Sequence, residues 1–265
     1  MTSEASASRD VQTTLNYFQP QDEPPYCYFG WKPPAGVPAH TVTNNPQSAV
    51  IHDARASRTR LGLIRVDSKR GIKTVYYTEV EAILKKYAGA KRVFILEHII
   101  RRNSDPETEP DRWTDRGPAY FVHTEHTLDG VEQIVRRRFP DDAERLLKGR
   151  YQIISVWRPI ANTVAHYPLG VLDFRSIDVD ADLVPLRLMF PKRQGWMYNV
   201  KYNPGHKWYY LSDQTPDEVV LFKSFDSDAS KARLVPHSAF PDKTSPADAP
   251  HRQSIGVRAL VFDRE

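Results

Sequence analysis

Tyr151-Gln152-Ile153-Ile154-Ser155-Val156-Trp157 opens the half of the chain on which the fold turns. Similar short apolar runs follow at 169–177, 183–190, 197–202, 208–211, 219–225, 234–240 and 254–262, separated by Pro, Gly, Asn or Asp. Runs of this length, rich in β-branched and aromatic residues and bounded by turn formers, predict a succession of short strands. Eight strands at this spacing suggest a sandwich or barrel, and a jelly roll holds eight of them.

Upstream of residue 151 the pattern is mixed. Residues 1–10 read as a loose flexible tail, 11–18 as a first strand, and 20–38 as a Pro- and aromatic-rich irregular arm packed on the body. Short strands are predicted at 50–55 and 61–66. Thr78-Glu79-Val80-Glu81 has the form of a capping box, and Val80, Ile83, Leu84 and Tyr87 keep helical spacing until Gly89 stops them. Residues 91–100 and 120–125 read as strands, joined by a polar, proline-punctuated loop at 102–115 that is long enough to be a lid. Helices are predicted at 128–138 and 141–148, the second with an Asp cap and Gly149 as its stop. No internal repeat is present, and residues 1–265 are expected to form one domain, mainly β with flanking helices.

The chain has 265 residues, 40% of them hydrophobic, with 21 prolines, which describes a turn-rich globular protein. No apolar stretch reaches the length of a bilayer span, and the first ten residues lack the apolar core of a signal peptide. A soluble, cytoplasmic protein with no membrane partner is expected. Cys27 is the only cysteine, which rules out an internal disulfide and a thiolate metal cluster. The pI is about 9.0, but 37 basic residues face 33 acidic ones with the signs interspersed. Arg136-Arg137-Arg138 and Arg101-Arg102 read as solvated edges, so no nucleic-acid partner is expected.

His123-Thr124-Glu125 is the motif that carries chemistry. On a strand, residues i and i+2 share a face, so the imidazole of His123 and the carboxylate of Glu125 can grip one ion. A third ligand must come from another strand. His237, in Leu234-Val235-Pro236-His237-Ser238-Ala239-Phe240, can supply it; His206, between Pro204-Gly205 and Trp208-Tyr209-Tyr210, is the rival and reads more simply as a satisfied turn histidine. Two imidazoles and one carboxylate on one side of an ion leave three positions open, an arrangement that suits Fe(II) in oxygenases rather than structural zinc. The plain alternative is a surface His beside a solvated Glu.

Several blocks extend the reading to nearly the whole chain: Leu15-Asn16-Tyr17-Phe18, residues 149–160, Asn203-Pro204-Gly205-His206-Lys207-Trp208-Tyr209-Tyr210, Thr215-Pro216-Asp217-Glu218-Val219, Pro236-His237-Ser238-Ala239-Phe240 and residues 252–260. Together they resemble a family of fungal non-haem iron oxygenases of secondary metabolism related to gibberellin desaturases and cephalosporin 7-alpha-hydroxylase. The resemblance implies a double-stranded β-helix of cupin-like type. It also implies Fe(II) held by a His-x-carboxylate pair and a distal His, 2-oxoglutarate as electron donor and O2 as oxidant. The family usually has Asp as the acidic ligand, and this chain has Glu125. The far carboxylate of 2-oxoglutarate needs a fixed cation, for which the planar guanidinium of Arg is suited. Arg252 and Arg258 have the same parity and either can face inward; the family position favours Arg252. Trp157, followed by Pro168-Leu169-Gly170, is similar to a cosubstrate-lining Trp of phytanoyl-CoA-hydroxylase-like enzymes.

Trp208 and Tyr210 share a face and are candidates to line a substrate pocket, with packed core aromatics as the alternative. His98 and Arg101 leave their strand ahead of the 102–115 loop and are candidates to touch substrate or cosubstrate, or to be ordinary strand-end polar groups. The resulting expectation is an Fe(II)/2-oxoglutarate-dependent dioxygenase, an oxidoreductase acting as hydroxylase, desaturase or oxidative cyclase on a small natural-product intermediate. An iron oxygenase independent of 2-oxoglutarate and a non-catalytic cupin-like small-molecule binder are the alternatives. Substrate and oligomeric state, a homo-oligomer included, stay open.

Overall fold

The computed structural model describes residues 9–57, 75–102 and 115–265. Its strands are β1 (Val11–Phe18), β2 (Tyr26–Tyr28), β3 (Asn44–Asp53), β4 (Arg92–Arg101), β5 (Asp115–Arg116), β6 (His123–Thr124), β7 (Tyr151–Pro159), β8 (Leu169–Leu172), β9 (Leu183–Phe190), β10 (Arg193–Val200), β11 (Trp208–Tyr210), β12 (Val220–Asp226), β13 (His237–Ala239) and β14 (Ser254–Phe262). The helices are α1 (Tyr77–Ala88), α2 (Gly130–Arg138), α3 (Ala143–Leu147) and α4 (Val179–Asp182). The strands form two sheets, one ordered β1-β3-β11-β8-β13-β6-β10-β9-β2 and the other β12-β7-β14-β4-β5. Nine strands facing five make the expected jelly roll with additional edge strands. The strand predicted at 61–66, most of the 102–115 loop and most of the 1–10 tail lie outside the described residues.

Alternation along β7 and β14 explains how the smaller sheet serves two purposes. Ile154, Val156, Val257, Ala259 and Val261 point outward, where Tyr76, Val80 and Leu84 of the α1 region cover them. Ser155, Trp157, Gly256 and Arg258 point the other way, toward the larger sheet. Further along the same strands, Ile153, Leu260 and Phe262 meet Val131 and Val135 of α2 and Leu146 of α3, which close one end of the sandwich. The larger sheet divides in the same manner. Leu172, Trp208 and Phe240 belong to a core cluster on its outer face with Leu15, Tyr17 and Ile51, whereas Leu169, His237 and Ala239 face inward.

Local departures from the sequence reading have physical causes. Glu79 and Thr78 lie inside α1, because a wider helical turn at 75–76 starts it earlier, and no side chain caps its N-terminus; the capping-box reading is therefore corrected. Gly89 does end α1, in the left-handed region at φ 68°, where a side chain would be strained. Asp142 stands at the start of α3 without capping it, since its carboxylate is taken by Arg92 at 2.7 Å and Arg145 at 2.7 Å. The 20–38 arm is irregular except for β2, which adds a parallel edge strand beside β9.

Candidate metal centre

The strand predicted at 120–125 shrinks to two residues, His123–Thr124. Its backbone is nevertheless held on both flanks: Val122 N donates to Asn16 O at 2.9 Å, and Ala239 N donates to Ala119 O at 2.8 Å. His123 lies directly opposite His237 of β13 in the antiparallel register, and directly paired residues share a face. Their rings are 4.5 Å apart between centroids. Glu125, just past β6, keeps the parity of His123, and one ligand atom from each of the three residues lies within 4.8 Å of the others.

Neighbouring groups fix how these side chains point. His123 Nδ1 is 2.9 Å from Phe121 O and His237 Nδ1 is 3.2 Å from Val235 O. A carbonyl only accepts, so each Nδ1 carries a hydrogen and each Nε2 is left for the cavity. Ser224 Oγ donates to Glu125 Oε2 at 3.1 Å, while Glu125 Oε1 lies 3.2 Å from His237 Nε2. Ser155 Oγ is 3.2 Å from Ser224 Oγ and extends the chain of hydroxyls. Burial, reinforced by the neighbouring His237, pushes His123 down to about 3, so its imidazole is neutral near pH 7. Burial would raise the carboxyl of Glu125, but His237 and Arg258 outweigh it and hold the group well below the usual carboxylate range. Neutral imidazole beside an ionised carboxylate, with the ligand atoms turned to one cavity, is a donor set for a divalent cation.

Arg252 lines the same cavity, together with Trp157 and Arg101. Its side chain is 3% exposed, and its guanidinium carbon lies 5.6 Å from the centroid of the Trp157 ring. Nη1 donates to Tyr167 O, while Nε has no hydrogen-bond partner. Tyr167 adopts φ 57°, the left-handed region, and so stores backbone strain beside Arg252. No carboxylate among the described residues pairs with Arg252, and burial with the nearby Arg101 pushes it down to about 9. A buried cation without a counter-ion, with N–H groups left over, fits an incoming carboxylate. Arg101 donates to Gly117 O at 2.8 Å and adds a second positive charge to this wall.

The remaining candidates separate clearly. Arg258 lines the cavity and pairs with Glu97 at 3.2 Å, so it already has a carboxylate. His98 does not reach the triad's cavity; it contacts Tyr77 Oη at 2.7 Å and lines the neighbouring space. Trp208 and Tyr210 are not pocket residues, because their parity turns them to the outer face of the larger sheet, where they are 1% and 3% exposed. His206 is spoken for elsewhere, with Nε2 3.0 Å from Asp182 and Nδ1 3.2 Å from Tyr17 Oη. Ser224, Ser155, Phe222 and Tyr167 were not anticipated from sequence. The signal for the two serines is a small polar residue at an inward position of an otherwise apolar strand.

Comparison with known proteins gives a consistent set. The profile of a family described as "Oxidoreductase/YMDC permease-like domain" matches residues 15–262. Among the described residues no helix is long and apolar enough to cross a membrane. The chain is 32% identical over 292 aligned residues to the hydroxylase/desaturase efuI of Hormonema carpetanum, covering 97% of each protein. It is 31% identical over 256 residues to the Fe(II)/2-oxoglutarate-dependent dioxygenase nvfI of Aspergillus novofumigatus, covering 89% of this chain and 90% of that one. A solved structure of the iron and alpha-ketoglutarate-dependent endoperoxidase NvfI superimposes with a TM-score of 0.84 at 28% identity, over 97% of this chain and 99% of that chain.

Proposed function

The chain belongs to the fungal Fe(II)/2-oxoglutarate-dependent dioxygenases and hydroxylase/desaturases of secondary metabolism, and from that premise we propose that His123, Glu125 and His237 hold its iron while Arg252 anchors 2-oxoglutarate. The observation that carries this reading is one cavity lined by both a His-Glu-His cluster with an ionised carboxylate and a buried, carboxylate-free arginine. When bound, the iron, with O2 as oxidant and 2-oxoglutarate as electron donor, would supply the oxidising power that removes hydrogen from an unactivated carbon of a small natural-product intermediate, with hydroxylation, desaturation or ring formation as the outcome.

The protein's own residues orient and exclude. Phe121 O and Val235 O fix the tautomers of His123 and His237, and Ser224 holds one oxygen of Glu125. Trp157 stacks on Arg252 and, with Leu169 and Phe222, keeps the cosubstrate wall dry. A dry wall strengthens the carboxylate–guanidinium attraction, because water no longer competes for either partner.

Anaerobic titration tests the reading. One Fe(II) per chain should bind, and adding 2-oxoglutarate should produce a metal-to-ligand absorption band. His237→Ala should abolish iron binding and His206→Ala should leave it; the reverse pattern refutes the ligand assignment. Once a substrate is in hand, succinate should appear in equal amount to product, which an oxygenase independent of 2-oxoglutarate or a mere binder cannot give.

A further inference from the structure

A second cavity, of about 300 Å³, meets the triad's cavity at Ile99, Glu125 and Arg258, which line both. Its inner end is therefore at Glu125, whose side chain is only 15% exposed, while its mouth carries Arg137 of α2 and Arg193 of β10, both exposed. Its lining also includes the apolar side chains of Phe29, Leu188, Phe190 and Trp196, beside the polar His98, His126, Gln133 and Gln194.

The charge of this space is not balanced. Of its two acids, Glu97 is engaged by Arg258 at 3.2 Å and Glu125 by His237 and Ser224. Arg137 and Arg193 have no side-chain hydrogen bond or ion pair among the described residues, and Arg138 stands beside them. Arg193 instead sits over Phe190, its guanidinium carbon 3.8 Å from the ring centroid. Burial and the charges of Arg193 and Arg138 push Arg137 below its ordinary value, the sign of cations held together without an anion. A guanidinium pre-oriented by stacking is ready for a two-bond contact with an oxyanion.

Resting on the function proposed above, we propose that the substrate is an apolar molecule bearing an oxyanion, gripped by Arg137 and Arg193 at the mouth while Phe29, Phe190 and Trp196 hold its body. The carbon that is oxidised then lies on the apolar body, at the end remote from the anion, because the anion is fixed at the mouth and the triad sits at the inner end.

The test uses the full chain and isothermal titration with 2-naphthoate and its neutral counterpart 2-naphthamide, in the wild type, Arg137→Gln, Arg193→Gln and the double variant. The acid should bind about tenfold or more tighter than the amide in the wild type, the worth of one charge-assisted contact. That gap should collapse in the double variant while amide binding stays unchanged, and it should narrow with added salt. Equal binding of acid and amide, no saturable naphthoate binding, or a gap that survives the double variant overturns the proposal. A third arm, 2-naphthyl phosphate, sorts the source of the oxyanion: tighter binding than naphthoate points to a phosphorylated substrate, and equal or weaker binding to a carboxylic acid. Arg252→Ala should keep the gap and lose the 2-oxoglutarate absorption band. A band without a gap refutes the substrate class alone, and a gap without a band refutes the cosubstrate assignment alone.

Discussion

Replacing Arg252 by Ala removes a cation that is 3% exposed and has no carboxylate partner within the described protein. Its Nη1 is occupied by Tyr167 O, and its Nε and remaining N–H groups are free for ligand. Two charge-assisted hydrogen bonds in a desolvated site contribute about 3–5 kcal/mol to binding, so 2-oxoglutarate affinity should fall by about 150-fold to 5000-fold. Iron affinity should barely change, because no triad residue leans on Arg252. The ligand-free protein should lose no more than about 1 kcal/mol, since deleting an unpaired buried charge relieves a desolvation cost that offsets the lost stacking on Trp157. Arg252→Lys should recover only part of the binding, because an ammonium lacks the planar fork. Anaerobic titration of the Fe(II) protein, followed at the metal-to-ligand band, reads the affinity; thermal unfolding reads the stability. An unchanged midpoint in Arg252→Ala beside a large shift in Arg258→Ala transfers the anchor to Arg258, and a collapse of stability in place of affinity makes Arg252 structural.

Glu125→Asp should keep iron and part of the activity, because the charge stays and Ser224 remains near; complete loss of activity with iron still bound would show that the longer arm sets the geometry. With a carboxylate in this ligand position no site is left for a halide, so product mass spectra in chloride or bromide should show no halogen, and a halogenated product refutes the ligand set. His206→Ala should leave iron binding intact but destabilise the protein by about 1 kcal/mol in denaturant titration, because Asp182, 4% exposed, loses one hydrogen bond at 3.0 Å while keeping those from Asp178 N and Asn203 Nδ2. Asp226, fully buried, is held below the usual carboxylate range: burial alone would raise it, but Arg150 at 2.6 Å and Lys223 at 2.5 Å override. A folded-state pKa below the unfolded one stabilises above about pH 4 and is lost as pH falls through the folded value. Asp226→Asn should therefore cost about 2–3 kcal/mol at pH 7 and flatten the loss of stability on acidification below about pH 4; an unchanged acid limb in urea titrations would refute the pairing.

Where sequence and fold agree, the signal was local. β7 and β14 could be read almost to the residue because alternating apolar positions face a helix on one side and the opposite sheet on the other. β3 could be read only near residue 50, since Asn44-Asn45-Pro46-Gln47-Ser48 is a poor strand former; that stretch is extended because β1 pairs with it, from Val11↔Ile51 to Phe18↔Asn44. That is tertiary pairing overriding propensity. The strand predicted at 120–125 erred the other way, its apolar start at 120–122 suggesting a strand while hydrogen bonds between Val122 and Asn16 and between Ala119 and Ala239 hold the approach to His123 in an irregular path. Trp208 and Tyr210 show the limit of parity. Spacing establishes that two residues share a face, but which face it is depends on the partner strand, here Leu172 opposite Trp208.

The site owes its chemistry to charges that the fold keeps apart. Glu125 and Arg252 line one cavity and carry opposite signs, yet Glu125 is engaged by His237 and Ser224 while Arg252 leans on Trp157 and a carbonyl. Direct pairing would neutralise both and would stabilise the empty fold. Instead β7 sets Trp157 beneath the arginine, β12 sets Ser224 beneath the glutamate, and the register of β6 against β13 sets the two imidazoles side by side. Each charge is left incompletely compensated in a buried place, so a cation on one side and a dicarboxylate on the other gain more there than in water. Arg137 and Arg193, farther out and exposed, are likewise left without acids among the described residues. Affinity at the two buried positions would thus arise from stability the empty protein forgoes, which is why deleting Arg252 should damage ligand binding far more than folding.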